Sequence, residues 1–355
     1  MKVRAAIELA AHVAAKNATL PILTHVKIEG GRVSASDLSQ QIDVPVELPP
    51  ALKEAAFCVH GARLMRVLKA LPDNVELDLA TLGDRLVVTA GKTRYELNTL
   101  PVADFPQIDA IEPLHTDVEV VSKDLTQALN FVQPAAAIAD IRYYLNGVHI
   151  LIETSRIVLT ATDGHRLHRV RVGIEPRSGE PVRGIIAGAS IARVLEIAAR
   201  HERVTLFISA TRFGVEDDEI LLTKLIDGQY PDADRVIPSS RPATAGVDRA
   251  ALLAAIKRMA AIEPPAIGID FTDVAIELTA RNAAGEQAGE GFLWNAAGAK
   301  VKPVHHAYQV AYLLDALNAF TCARINLHIG GDKESLYLTD DTDGSHQIVL
   351  MPYRA

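Results

Sequence analysis

Cysteine is scarce: the 355 residues contain only two, Cys58 and Cys322. They lie far apart and in no Cys-x-x-Cys spacing, which argues against a disulfide framework or a cysteine-bound zinc and fits two reduced thiols in a cytoplasmic protein. Long apolar runs are missing as well, since none approaches the roughly 20 residues that a membrane span needs. The alanine-rich stretch from Ala5 to Ala15 is interrupted by Glu8 and His12, so it does not read as an export signal. A cytoplasmic protein without a membrane partner is expected. Positive charge is in deficit, with 36 Lys and Arg against 44 Asp and Glu and a formal charge of −8. That argues against a generally basic nucleic-acid coat, while leaving room for basic charge gathered on one face. No Gly-x-Ser-x-Gly elbow, P-loop or His-Glu-x-x-His helix occurs. Asp163-Gly164-His165 lacks a nucleophile or further ligands at useful spacing, and the adjacent His305-His306 cannot both face one side of a strand. Neither an enzyme nor a metal or other cofactor is expected.

What is present is an ordinary globular composition, 49% hydrophobic and 23% charged, in a chain long enough for two or three cores. The informative feature is internal repetition. Strand-like segments rise to a polar turn at Gly31–Asp37, Arg156–Asp163 and Val274–Asn282, and Asp37, Asp163 and Asn282 recur at intervals of about 120 to 126 residues. In step with them come helical stripes at Leu64, Val67, Leu68 and Leu71, at Ile191, Val194, Leu195 and Ala198, and at Leu313, Leu314, Leu317 and Phe320. An alternating strand follows each stripe, at Val75–Leu79, Val204–Ile208 and Ile325–Ile329. About 27 residues beyond each strand start a proline is expected at a strand end: Pro101, Pro231 and Pro352. Each unit also opens with a helix, over Ala5–Lys16, Lys123–Val132 and Arg249–Ile262. The expected fold is α+β, three repeats of two helices packed on antiparallel sheet, with linker composition placing domains at 1–113, 114–238 and 239–355.

The helices and their ends gather basic residues: Arg4, Lys16, Arg63, Arg66, Lys69, Lys123, Arg193, Arg200, Arg203, Arg249, Lys257 and Arg258. With −8 overall, the strands and loops must then be acidic. Such an asymmetry suits a protein that turns basic helices toward DNA phosphates and an acidic surface outward.

Six segments carry a family likeness: Thr19–Leu23, Thr99–Pro101 with Asp104-Phe105-Pro106, Arg142–Gly147, Ala161–Leu167, Asp227-Gly228 with Tyr230-Pro231-Asp232, and Val349–Arg354. In this order the chain resembles the β sliding clamp of bacterial DNA polymerase III along essentially its whole length. The resemblance implies a head-to-tail homodimeric ring that encircles duplex DNA and gives processivity to the polymerase. It implies as partners duplex DNA, the DNA polymerase III alpha subunit, the clamp loader, other polymerases and mismatch-repair proteins, and a second copy of the chain. It implies a pocket for partner peptides at Leu145, Thr162, Gly164, His165, Arg166, Leu167, Pro231, Val236, Val349, Met351, Pro352, Tyr353 and Arg354. The DNA-facing set becomes Lys16, Arg63, Arg66, Lys69, Arg142, Tyr143, Tyr144, Arg193, Arg200, Lys257 and Arg258, and Phe105 and Ile108 fall at the subunit interface. The chain departs from the family pattern at Asn17, where a basic residue is usual, and at Ala139, where a polar one is. Weaker or relocated DNA contact at those loops is implied, and a divergent paralogous, plasmid or phage clamp with altered partner choice is the alternative reading.

Overall fold

The computed structural model describes residues 3–72, 75, 77–106, 116–239, 243–272, 275–293, 304–331 and 334–353. The first repeat runs α1 (Val3–Val13), β1 (His25–Glu29), β2 (Arg32–Ser36), β3 (Gln40–Pro45), β4 (Phe57–His60), α2 (Gly61–Ala70), β5 (Leu77–Leu82), β6 (Arg85–Ala90) and β7 (Thr93–Leu100). The second adds a leading strand: β8 (Thr116–Val121), α3 (Ser122–Val132), β9 (Gly147–Ile152), β10 (Arg156–Thr162), β11 (Arg166–Gly173), β12 (Val182–Ala187), α4 (Gly188–Ala198), β13 (Arg203–Ile208), β14 (Arg212–Glu216) and β15 (Ile220–Lys224). The third follows it: β16 (Ala243–Asp248), α5 (Arg249–Ala260), β17 (Ala266–Phe271), β18 (Ala275–Arg281), β19 (Gln287–Leu293), β20 (Val304–Gln309), α6 (Val310–Ala319), β21 (Arg324–Ile329), β22 (Leu336–Asp340) and β23 (His346–Leu350). The threefold α+β repeat expected from the sequence is therefore the fold.

The chain divides into two compact units, Met1–Lys123 with Ala189–Leu225, and Asp124–Gly188 with Ile226–Ala355. In the first, eleven strands form one sheet in the order β5-β6-β7-β4-β1-β2-β3-β15-β14-β13-β8. The first and second repeats meet there edge to edge, β3 pairing antiparallel with β15 through Ile42↔Leu221 and Gln41↔Leu222. Helix α1 lies against β2 and β3 and packs on α2. It buries Ala6, Ile7, Leu9, Ala10 and Val13, the stripe that a period of 3.6 places on one face. In the second unit the order is β12-β9-β10-β11-β23-β22-β21-β16, beside a smaller sheet β19-β18-β17-β20. There β11 meets β23 with Leu167 opposite Val349, so the second and third repeats join by the same kind of strand pairing. Phe131, fully buried, closes the core of that joint, its ring edge-on to Phe320 at 5.2 Å and to His346 at 4.8 Å.

Details differ from expectation for local reasons. In α2 the buried face is Leu64, Met65 and Leu68, leaving Val67 half-buried, and Leu195 and Leu314 are likewise only half-buried. Pro101 and Pro352 follow strand ends, but Pro231 lies seven positions beyond β15, in the loop that builds the site described next. Lys16 lies beyond the end of α1. The strand expected from Val75 begins at Leu77, and Glu76 lies outside the described residues.

Candidate functional site

At the β11–β23 seam of the second unit lies an open apolar cavity of about 170 Å³. Its floor is buried: Leu145, Leu167 and Val349 are 2%, 4% and 1% exposed. Met351 and Val236, 40% and 39% exposed, stand at its rim with Pro231. Leu167 and Val349 reach the floor together because they are register partners on adjacent strands. Met351 is held beside them by its N–H, which donates to the His165 carbonyl at 2.9 Å.

The walls are two turns whose sequences explain themselves. In Thr162–Leu167, Asp163 accepts from the N–H groups of His165 and Arg166 at 2.9 and 3.0 Å, and Thr162 Oγ1 donates to the Arg166 carbonyl at 2.6 Å. Gly164 sits at φ +90, a backbone conformation that favours glycine, beside the Arg142 guanidinium. In the Arg142–Gly147 segment, Asn146 clamps Asp140 from both sides, accepting from its N–H and donating to its carbonyl, each at 2.9 Å. A Cβ on Gly147 would come within 2.4 Å of the Ile186 carbonyl oxygen across the β9–β12 pair.

Charge around the cavity is almost wholly compensated. Arg142 bonds Asp140 through Nη2 at 2.7 Å and the Asp163 carbonyl at 3.0 Å, and this guanidinium holds the Asp140 carboxyl down at about 2. Arg166 pairs with Asp163 and Asp315 while lying 4.4 Å over the Tyr312 ring. The Tyr230 hydroxyl accepts from the Thr162 N–H at 2.9 Å, its ring stacks on His149 at 5.0 Å, and burial pushes its acid dissociation upward. Nucleophile and general base are both missing from this arrangement; what it offers is an apolar trough rimmed by paired polar groups, suited to a short hydrophobic segment.

Most of the pocket residues read from the resemblance line this cavity: Leu145, Thr162, Gly164, His165, Arg166, Leu167, Pro231, Val236, Val349 and Met351. Pro352 and Tyr353 are not among the lining residues, because the Tyr353 N–H bonds the Ala307 carbonyl at 2.7 Å and carries the chain away. Arg354 lies outside the described residues. Arg142 and Tyr144, expected to face DNA, also line the cavity, as do Asp232 and Ala233, which sequence reasoning missed. Asp232 was signalled by its place after Pro231, where its side chain caps the short turn Ala233–Arg235.

The basic residues divide into two kinds. Arg193 pairs with Glu196, Arg258 with Glu290, and Arg203 with Glu119. Arg200 Nε bonds the fully buried Glu219 at 2.8 Å, and Arg249 donates to the Cys322 and Leu317 carbonyls at the end of α6. Ion pairing and capping thus absorb much of the charge expected on a DNA-facing surface. Lys69 has only a 3.6 Å contact with Glu8, and Lys16, Arg63, Arg66 and Lys257 are exposed with no ion partner among the described residues. Lys16 and Arg63 border a polar groove of about 510 Å³ in the first unit, shared with His25, His60 and the edge strand from Glu96 to Leu100. Tyr143 is 57% exposed. Phe105, expected at a subunit interface, is 7% exposed in a cluster with Ile22, Leu23 and Cys58. The same burial pushes the Cys58 thiol up to about 12, which makes it inert. Ile108 lies outside the described residues.

Comparison with known proteins gives three successive matches to models of the DNA polymerase III beta subunit: its N-terminal domain over residues 2–109, its central domain over 119–232 and its C-terminal domain over 234–354. The beta sliding clamp of Escherichia coli K12 is 30% identical over 356 residues, covering 95% of this chain and 93% of the relative. That of Vibrio cholerae is 27% identical over 350 residues, with the same coverage of 95% and 93%. Among solved structures, the DNA polymerase III subunit beta of Pseudomonas aeruginosa superposes with a TM-score of 0.92 at 25% identity, over 99% of this chain and 98% of that one.

Proposed function

Because the chain belongs to the DNA polymerase III beta subunit family of sliding clamps, non-catalytic processivity factors of replication, we propose that it works in the bacterial cytoplasm as a head-to-tail homodimeric ring around duplex DNA. The ring carries domains at 1–113, 114–238 and 239–355. One observation carries this reading. The third strand after the opening helix of the first repeat, β3, pairs with the last strand of the second, β15, and the third strand after the opening helix of the second, β11, pairs with the last of the third, β23. The rule leaves one strand of each kind over: β19, an edge strand paired only to β18, and β7, which pairs with β6 over Thr93–Asn98 and with β4 only at Thr99 and Leu100. Joining β19 of one copy to β7 of another repeats the internal junction and makes a heterologous interface that closes with two copies.

DNA contact in this reading falls to the exposed cations Lys16, Arg63, Arg66 and Lys257, and to Lys69 beside Glu8, with Tyr143, through phosphate and without sequence preference. The cavity at the β11–β23 seam receives linear hydrophobic segments of the polymerase III alpha subunit, the clamp loader and other polymerases or mismatch-repair proteins. A divergent clamp with altered partners is favoured by one feature: around Ala139 the loop presents Ile138 and Ile141 at 94% and 97% exposure.

After loading by the clamp loader, the protein is expected to stay on nicked circular DNA and to run off once the circle is cut. Equal retention on both would refute encirclement. For the cavity, Met351→Ala is expected to weaken a fluorescent Gln-Leu-x-Leu-Phe peptide about tenfold, the effect of losing one well-packed apolar contact of about 1.4 kcal/mol. An unchanged affinity would sink that assignment. A divergent clamp would instead bind DNA normally and ignore this peptide.

A further inference from the structure

His201 follows the end of α4 and faces the β14–β15 turn, which carries Asp217, Asp218 and Glu219 in succession. Its Nδ1 lies 2.5 Å from Asp217 Oδ2, and its Nε2 lies 3.0 Å from Glu219 Oε2. The first contact turns Nδ1 to Asp217, so Nε2 points the other way, toward Glu219. The second contact is then unusual. Glu219 is fully buried, yet its Oε2 and the Nε2 of His201 have no hydrogen-bond partner, because at 3.0 Å the pair lacks the alignment that a hydrogen bond needs. A buried carboxylate oxygen and an imidazole nitrogen this close, neither in a hydrogen bond, leave room for a cation between them.

We propose that His201, Asp218 and Glu219 bind a divalent metal ion of the zinc class. Their ligating atoms, one imidazole nitrogen and one carboxylate oxygen from each acid, all lie within 4.8 Å of one another. Ligands at about 2.0–2.2 Å around a tetrahedral ion stand roughly 3.3 Å apart, so a small inward movement of exposed Asp218 completes three protein positions, with water as the fourth. One imidazole and two carboxylates select zinc, cobalt or nickel over the all-oxygen preference of magnesium or calcium. The surroundings act as metal-site supports do: Asp217 orients the imidazole through Nδ1, and Arg200 Nε grips Glu219 Oε1 at 2.8 Å, leaving Oε2 for the ion. The bound ion would tie the end of α4 to a hairpin whose strand β15 makes the joint with β3, bracing the junction of the first two repeats.

The full-length chain, stripped with a chelator and dialysed, is titrated with Zn²⁺ by calorimetry and with Co²⁺ by visible absorption. One ion per chain is expected, with a Kd near or below about 10 µM, visible cobalt bands and a Tm raised by zinc. His201→Gln should abolish the bands and the Tm rise, and Asp218→Asn, at an exposed position that folding does not need, should weaken zinc at least tenfold. The proposal is overturned if the stripped chain takes up no ion at 100 µM, leaving a protonated His201 between its two carboxylates. It is equally overturned if both variants bind zinc as the parent does, since the ion would then sit elsewhere.

Discussion

A chain carrying proline at one of two adjacent positions of β19, Ala288→Pro or Gly289→Pro, is expected to sediment as a folded monomer and to lose all retention on circular DNA. In a strand, neighbouring residues send their N–H groups to opposite sides, so one of this pair donates toward β18 and the other toward the open edge. Proline removes the donor and sets a ring in its place. At the inward position it breaks the β18 ladder and lowers Tm. At the outward position it leaves the subunit intact but blocks pairing with β7 of a second copy. A dimer constant raised at least a thousandfold is expected for the variant that keeps its Tm, because several strand hydrogen bonds are lost together. Analytical ultracentrifugation with circular dichroism separates the two, and a well-folded outward variant that stays dimeric would move the interface away from β19.

Acidification from pH 7.5 to 5 is expected to cost the protein about 4 kcal/mol of stability, roughly 2 kcal/mol from each of two buried histidines. His168, fully buried, donates Nδ1–H to the Phe131 carbonyl at 2.8 Å and leaves Nε2 without a partner; burial lowers it to about 4. His149, stacked on Tyr230, is lowered to about 4 by burial first and by Arg183 second. Both groups are neutral in the fold and bind protons more readily once unfolded. Between the unfolded value of 6.5 and about 4, the unfolded chain therefore holds more protons, and stability rises with pH. The contribution is complete above about pH 6.5 and is lost as pH falls toward 4. Urea midpoints at the two pH values measure it. His149→Phe keeps a ring against Tyr230 while removing one titration, so the pH-dependent loss should drop by about half. An undiminished loss in that variant would assign the effect to other groups.

Helical stripes, alternating strands and their threefold recurrence were legible because periodicity is a local property of the chain: Ile7 and Ala10 are buried together for a reason written within one turn. The turn chemistry of Thr162–Leu167 and the preference for glycine at 164 are local in the same sense, which is why the floor and one wall of the cavity were readable as segments. The other wall was not readable in this way: Arg142 looks like a free cation until the turn from β10 to β11 brings Asp163 and Gly164 against it.

The sequence by itself determined the repeat, the faces of its helices and the conformations of its tight turns. Tertiary structure alone decided which charges remain available and which strand edges remain open. Arg166 meets Asp315, Arg200 meets Glu219 and Arg258 meets Glu290, each neutralised by a residue that no short window contains. Phe105 is buried because Ile22, Leu23 and Cys58 surround it, and among the described residues β19 is an edge while β7 has a partner on its second side only at Thr99 and Leu100. The physical reason is one of range: dihedral preference and amphipathic period act over a few residues, whereas ion pairing, burial and strand pairing depend on groups that only the folded chain brings together.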